Sequence, residues 1–474
     1  MKTVLLIGLF LLTANARAEF VSLDSYLDQV KHMNGSVRGS LETSAGTRLR
    51  SNEGALITSP SLFANLTSTD DKAPKLNPLA QGTETVTKNY SGGFMYQSPI
   101  GTSLKLYYSA TYMDVRGASQ VYVQNPTAWD TKPVIELTQP LWRNIIGNET
   151  RASVEAANSA ALAASWTDQY VVKQGLSAAE AAYWRLSAAR EALEIQRGSL
   201  ERQTKIRDWT AQKVKYRLAD ESDELQASAA VRLRELELQV AIDEVRTAAQ
   251  TFNTTRGMQA TTVDERLESV LAFDPDNISV PRRASRRADV EAALYQEKAA
   301  DAAAMLGAQK NLPTLELFGS YARNGHDLVS STSMTQSTWA ANPTTTIGLK
   351  LVAPIRWGLV MENREGYARE ARGAALKYEQ KVADQEKDWV DLLSKYGEAK
   401  RRLELSKRIE EVQKSKYQRE RDRHSKGRTT TFMVLQFEQD FASAQLARLR
   451  TQTEILGLVA QMKTFGSAVG GDTK

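Results

Sequence analysis

The chain has 474 residues, 42% hydrophobic and 25% charged, a formal charge of +5 and no cysteine. Without cysteine there is neither a disulfide framework nor a lipid-attachment thiol, and His32, His326 and His424 are too scattered to build a metal or catalytic cluster. So small a basic excess does not call for nucleic acid, and no enzyme, cofactor or metal site is expected.

In chain order, "MKTVLLIGLFLLTANARAEF" combines Lys2, an apolar run and Ala16-Arg17-Ala18, which predicts a signal peptide over 1–18. The apolar run is about half the roughly 20 residues of a membrane anchor. Loss of Lys2 and Arg17 leaves 5 − 2 = +3. No later stretch reads as a transmembrane helix, so an exported chain of this kind enters a membrane only as a closed β-barrel.

Alternation predicts strands at about 60–68, 90–97, 103–113 and 133–139, and again at about 314–323 and 345–353. In "SLKLYYSATYM" Leu104, Leu106, Tyr108, Ala110 and Tyr112 share one face, and Ser103, Lys105, Tyr107, Ser109 and Thr111 the other. In "TIGLKLVAPI" Ile347, Leu349 and Leu351 oppose Gly348 and Lys350. A lipid-facing barrel strand needs this pattern; a soluble sandwich with one buried face would look similar.

All twelve prolines avoid two blocks, 141–274 and 355–474, rich in strong helix formers. Heptad spacing of Leu186, Leu193 and Leu200, and of Val382, Trp389, Tyr396 and Leu403, predicts long coiled-coil-like helices. One break in each block, 217–226 and 424–436, makes helical hairpins of about 143–258 and 358–465. Each first helix is about 100 Å long at 1.5 Å per residue. A dimeric coiled-coil rod would explain the heptads but not the strands between them.

The two halves repeat. Pro60-Ser61-Leu62 echoes Pro313-Thr314-Leu315 at an offset of 253; Leu137 to Leu141 echoes Leu351 to Ile355, and Ala160 to Leu162 echoes Ala374 to Leu376, both at 214; Leu225-Gln226 echoes Leu435-Gln436 at 210. After the signal peptide come a first repeat, 19–262, and a second, 263–474. The first holds 253 − 214 = 39 extra residues between its strands. That insertion carries the hairpin 90–113, which belongs either to a barrel wall or to a projection outside the cell.

"LTQPLWRN" (137–144), "SRRADVEAALYQEKAADAAAMLGAQKNLPTLEL" (285–317) and "GRTTTFMVLQFEQDFASAQLARLR" (427–450) resemble, in order, the strand-to-helix junction, the R-x-D-x-x-A-A helix and the second tip of the TolC family of outer-membrane efflux proteins. The resemblance covers essentially the whole mature chain. Asn144 replaces the family's glycine after the QPL. It implies an α+β membrane protein: a homotrimer whose strands form one outer-membrane β-barrel, continuous with a periplasmic α-helical barrel of twelve helices. It further implies a passive exit duct of a tripartite efflux pump or type I secretion system, partnered by a periplasmic adaptor and an inner-membrane pump or ABC transporter. The alternative is a non-channel periplasmic coiled-coil scaffold or adaptor.

Pro140 and Pro354 are the expected strand-to-helix junctions, where a missing N–H and a constrained φ suit a helix entry. Trp142, Trp357, Tyr108 and Tyr112 are expected at the membrane interface, in contact with outer-membrane lipid. The resemblance places a gate at the helix tips, with Asp220 and Asp223 on the first and His424, Arg428 and Thr429 on the second. Met433 and Gln436 occupy the positions of the family's acidic ring, which is therefore missing. Asp223 and Arg428 are the expected gating pair.

Overall fold

A computed structural model describes residues 20–274, 280–339 and 342–466; the expected signal peptide, 1–18, lies outside them. The chain forms two compact units. One holds 1–44, 166–289 and 382–474, the other 45–165 and 290–381.

The second unit is built on an antiparallel sheet. Its strands are β1 (Ser61–Asp71), β2 (Glu84–Gln97), β3 (Ser103–Arg116), β4 (Thr127–Pro140), β5 (Thr314–Arg323), the short β6 (Gly325–Asp327) and β7 (Pro343–Val352). They lie in the order β1-β2-β3-β4-β5-β7, with β6 beside β4. The one-turn α3 (Pro78–Gln81) belongs to this unit, whereas α1 (Leu23–Met33) and most of α2 (Gly35–Leu49) belong to the other.

The strands outrun the alternation. β2 begins at Glu84 instead of near residue 90, and β4 at Thr127 instead of 133. Pro133, which ends the strand by local rules, sits inside β4 opposite Tyr108. On its other side the ladder is interrupted: β5 pairs from Val134 and β6 stops at Thr131. A residue with no N–H is tolerated where the neighbouring strand has no partner to offer.

The helical unit takes most of α4 (Asn148–Lys215), α5 (Glu221–Thr255), the start of α6 (Ala288–Lys310), much of α8 (Trp357–Ser425) and α9 (Thr431–Met462). The short α7 (Ser330–Trp339) belongs to the sheet unit. The heptad residues Leu186, Leu193, Tyr396 and Leu403 are buried, so the periodicity of the sequence is the packing seam.

An aromatic core ties α1 to α4 and α5. Tyr26 stacks on Phe252 at 4.1 Å, and its hydroxyl donates to the Phe252 carbonyl. The Tyr183 hydroxyl donates to Val21 O and accepts from Glu268 N, which satisfies a buried polar group within an apolar cluster.

Candidate functional site

Directly paired residues of antiparallel strands share a face, so the register defines both surfaces of the sheet. One lateral row reads Leu62–Phe94–Leu106–Ile135–Tyr321 across β1 to β5. The next reads Tyr96–Leu104–Leu137–Gly319–Ile347. Every member of the first row is exposed in the chain, as are Leu137, Ile347, Leu349 and Leu351.

The opposite face carries rows such as Asn65–Ser91–Ser109–Lys132 and Ser61–Met95–Lys105–Glu136–Ser320–Thr346. Asn89 there donates to Thr111 at 2.8 Å, and Tyr107 to Glu136 at 2.8 Å. The sheet therefore has an exposed apolar side and a hydrogen-bonded polar side.

Along β3 the apolar side extends from Leu104 to Tyr112, close to the roughly 9–11 residues that a tilted strand needs to cross a bilayer. At its far end Trp129 packs on Tyr112 at 5.2 Å and on Tyr90 at 6.3 Å. Tyr108 bonds Ser337 of α7.

Two prolines alike in sequence end their strands differently. α8 begins at Trp357, three residues after Pro354, whereas Pro140 is the last residue of β4 and α4 starts only at Asn148, eight residues on. Pro140 is thus no helix entry, and the hairpin expected from 143 begins five residues later in structure. The intervening loop 141–147 is held in unusual backbone: Asn144, Ile146 and Gly147 have φ of 58°, 55° and 76°.

Asn144 adopts the left-handed conformation that glycine and asparagine tolerate, so it fits where the resembling family has glycine. Its side chain accepts from Thr150 N and donates to Thr150 Oγ1, capping α4. Gly147 lies so close to the β2–β3 turn that a Cβ there would stand 1.8 Å from the Pro99 carbonyl oxygen, and one on Gly101 would stand 2.8 Å from Asn144 O. Loop and turn are packed backbone to backbone.

At the tips, α4 and α8 stop by the same device. Arg217 (φ 57°) and Gly427 (φ 69°) take the left-handed position, with Leu218 N bonded to Lys213 O and Arg428 N to Arg423 O. Between them lies a compact clasp. The His424 ring packs 4.1 Å from the Trp209 ring, the Lys213 ammonium sits 3.5 Å above Trp209, and Lys213 Nζ donates to the His424 carbonyl at 3.5 Å. His424 Nε2 lies 3.4 Å from the Thr431 hydroxyl, and His424 is 4% exposed. Burial, then the nearby Lys213 charge, push the imidazole down to about 4, against a pull upward from Glu420.

No protein-family model and no curated protein matches this sequence. Solved structures do match along nearly the whole chain. The outer-membrane channel OprN is 18% identical over 94% of this chain and 89% of its own, with a TM-score of 0.65. The outer-membrane protein VceC of Vibrio cholerae is 15% identical over 94% and 96%, at 0.64. The outer-membrane channel MtrE of Neisseria gonorrhoeae, solved in an open state, is 17% identical over 95% and 90%, at 0.65.

This chain has the TolC-type channel fold.

Within that fold the expected gate residues part company. His424 is buried in the clasp, but Asp220, Arg428 and Gln436 are exposed. Asp220 precedes α5 and accepts from Asp223 N; the Arg428 carbonyl accepts from Arg423 Nη2. The Thr429 hydroxyl donates to Glu420, Met433 N donates to the Thr430 hydroxyl, and Gln436 donates to Asp440. Among the described residues no ion pair or hydrogen bond joins Asp223 to Arg428 within one chain. Asp223 acts instead on Lys213: burial lowers the Lys213 pKa and the Asp223 charge opposes that shift.

Sequence inspection missed Trp209, Lys213, Glu420 and Thr431. The one available signal was an aromatic residue close to the end of an otherwise charged helix. Trp142 and Trp357 are both about half exposed, Trp142 in the junction loop and Trp357 at the first turn of α8.

Proposed function

We propose that the chain is the outer-membrane exit duct of an efflux pump or type I secretion system, a passive conduit gated at the helix tips. The carrying observation is the two-faced sheet: an exposed apolar side spanning every long strand, backed by a polar side. A soluble sandwich would cover the apolar side; a membrane barrel leaves it to lipid and turns the polar side to water.

The edges of the sheet are β1 and β7. A sheet edge in lipid leaves backbone groups unsatisfied, so copies must close on one another. The resemblance makes that number three and supplies the twelve-helix periplasmic tunnel, two repeats per chain. Leu236 and Val240 on α5, and Leu405 and Ile409 on α8, are exposed apolar residues about four to six turns from their tips. They suit a seam between α5 of one copy and α8 of the next. A periplasmic adaptor and an inner-membrane pump or ABC transporter would open the tips and supply the energy.

Cell fractionation tests this: the protein is expected in the outer membrane as a trimer that migrates faster on a gel without heating. Recovery as a soluble periplasmic protein would overturn it.

The clasp predicts a pH-dependent gate. The His424 pKa is depressed on folding, so the folded clasp binds fewer protons than the open chain. Its stabilising contribution is complete above about 6.5 and is lost as pH falls through about 4. Conductance in planar bilayers should therefore rise between those limits. His424→Gln removes the titrating imidazole: the variant should lose this rise, and an unchanged profile would exclude His424. Trp209→Ala should raise conductance throughout.

A further inference from the structure

The two expectations for the extra hairpin, wall or projection, differ in whether β2 and β3 carry the lipid-type face. Both strands are paired with their outer neighbours along most of their lengths. β2 is hydrogen-bonded to β1 from Ser61↔Met95 to Asp71↔Thr85, and β3 to β4 from Ser103↔Thr138 to Asp114↔Thr127. Phe94 and Leu106 are continuous with Leu62 on one side and Ile135 on the other, in one exposed row. A projecting hairpin would leave β1 and β4 as neighbours and would have no reason to match their apolar side residue for residue.

Resting on the channel function above, we propose that β2 and β3 are wall strands, so that three copies close a barrel of eighteen strands instead of twelve. Barrel diameter grows roughly linearly with strand number, which makes this lumen about one and a half times as wide. Strands β2 and β3 add hydroxyl and amide groups to its lining, among them Asn89, Ser91 and Thr111. The channel would admit bulkier solutes at its outer half than a twelve-strand wall allows.

The extra hairpin is also anchored at its turn, within the sheet unit. The turn 98–102 has no helix of its own. It rests on loop 141–147, the stretch that lengthens the first junction relative to the second. Pro99 and Gly101 meet Gly147 and Asn144 there in backbone contact, and Thr102 Oγ1 donates to Gln139 Oε1 at 2.5 Å. The long junction bears the two extra strands, and the short one at Pro354 has none to bear.

The chain has no cysteine, so single-cysteine labelling in native outer membranes is direct. With a water-soluble maleimide, Phe94→Cys and Leu106→Cys are expected to react at least tenfold more slowly than Ser91→Cys, and as slowly as Leu66→Cys and Ile135→Cys on the flanking strands. Fast labelling at 94 and 106 with slow labelling at 66 and 135 overturns the wall assignment and leaves the channel standing. Fast labelling at all five sinks the channel itself. Electron microscopy of the unmodified protein gives the second measurement: eighteen strands around the pore support the proposal, and twelve with detached hairpins refute it.

Discussion

Ile347→Arg is expected to remove the trimer from the outer membrane, whereas Thr346→Arg, its neighbour, leaves it assembled. Both residues lie midway along β7 and both are exposed in the chain, so burial does not distinguish them. The pleat does. Ile347 pairs with Gly319 on the apolar side, and Thr346 with Ser320 on the polar side. An arginine near the bilayer midplane of a barrel costs about 2–4 kcal/mol, and the cost recurs in every copy. On the polar side the same guanidinium faces water, among Lys350, Glu316 and Ser320. The readout is the heat-sensitive trimer band in the membrane fraction. Equal tolerance of both substitutions would mean that the apolar side of the sheet does not meet lipid.

The second large effect is expected at Arg287, the arginine of the R-x-D-x-x-A-A resemblance. Its guanidinium donates to Asp289 at 2.6 Å and to Asp388 at 3.0 Å, and it lies over the rings of Phe465 and Tyr170. Its own N–H donates to Gln385. Burial works against its charge, and the hydrogen bond and charge of Asp289 more than compensate, so its pKa is raised. Arg287→Met would leave the Asp289 carboxylate, about nine-tenths buried, without its guanidinium. Breaking a buried pair from one side costs about 3–5 kcal/mol. Arg287→Lys should recover only part, because a single ammonium cannot bond two carboxylates as the planar fork does. Arg283→Met is the control: its partner Glu386 is 56% exposed, and exposed pairs are worth about 0–1 kcal/mol. Thermal unfolding in detergent reads all three, and equal melting of the Arg283 and Arg287 variants would contradict the assignment.

The types of element were legible because their causes are local. Period-two alternation in "SLKLYYSATYM" and heptad spacing from Leu186 and from Trp389 reflect which side of a strand or helix meets apolar surroundings, and that pattern is written in consecutive residues. The tip breaks were legible too, since Gly427 and the acidic start of α5 are local signals for ending and starting helices. Helix and strand ends were less so. Pro133 reads as a strand breaker, yet it lies within β4 because the far side of that strand is unpaired at that level. Pro140 and Pro354 read as one device, yet only the second leads straight into its helix.

The candidate site was legible in kind and not in detail. Asp223 and Arg428 look complementary in sequence, but each sits on its own tip, and the groups that actually meet are Trp209, Lys213 and His424. What brings them together is the packing of α4, α8 and α9, whose residues Ile206, Tyr417, Val434 and Phe441 share one core. Such packing is a sum of contacts between residues far apart in the chain, and no single residue encodes it.

By itself the sequence determined that this chain is made of long two-faced strands and long heptad helices in alternating blocks, since local patterning decides which face of each element is apolar. Only the tertiary structure decided that the extra hairpin joins the sheet, that its turn rests on the Asn144 loop and that His424 is buried against Trp209. Those outcomes depend on register and on contacts between residues far apart in the chain, where one residue of slip turns every side chain to the opposite face.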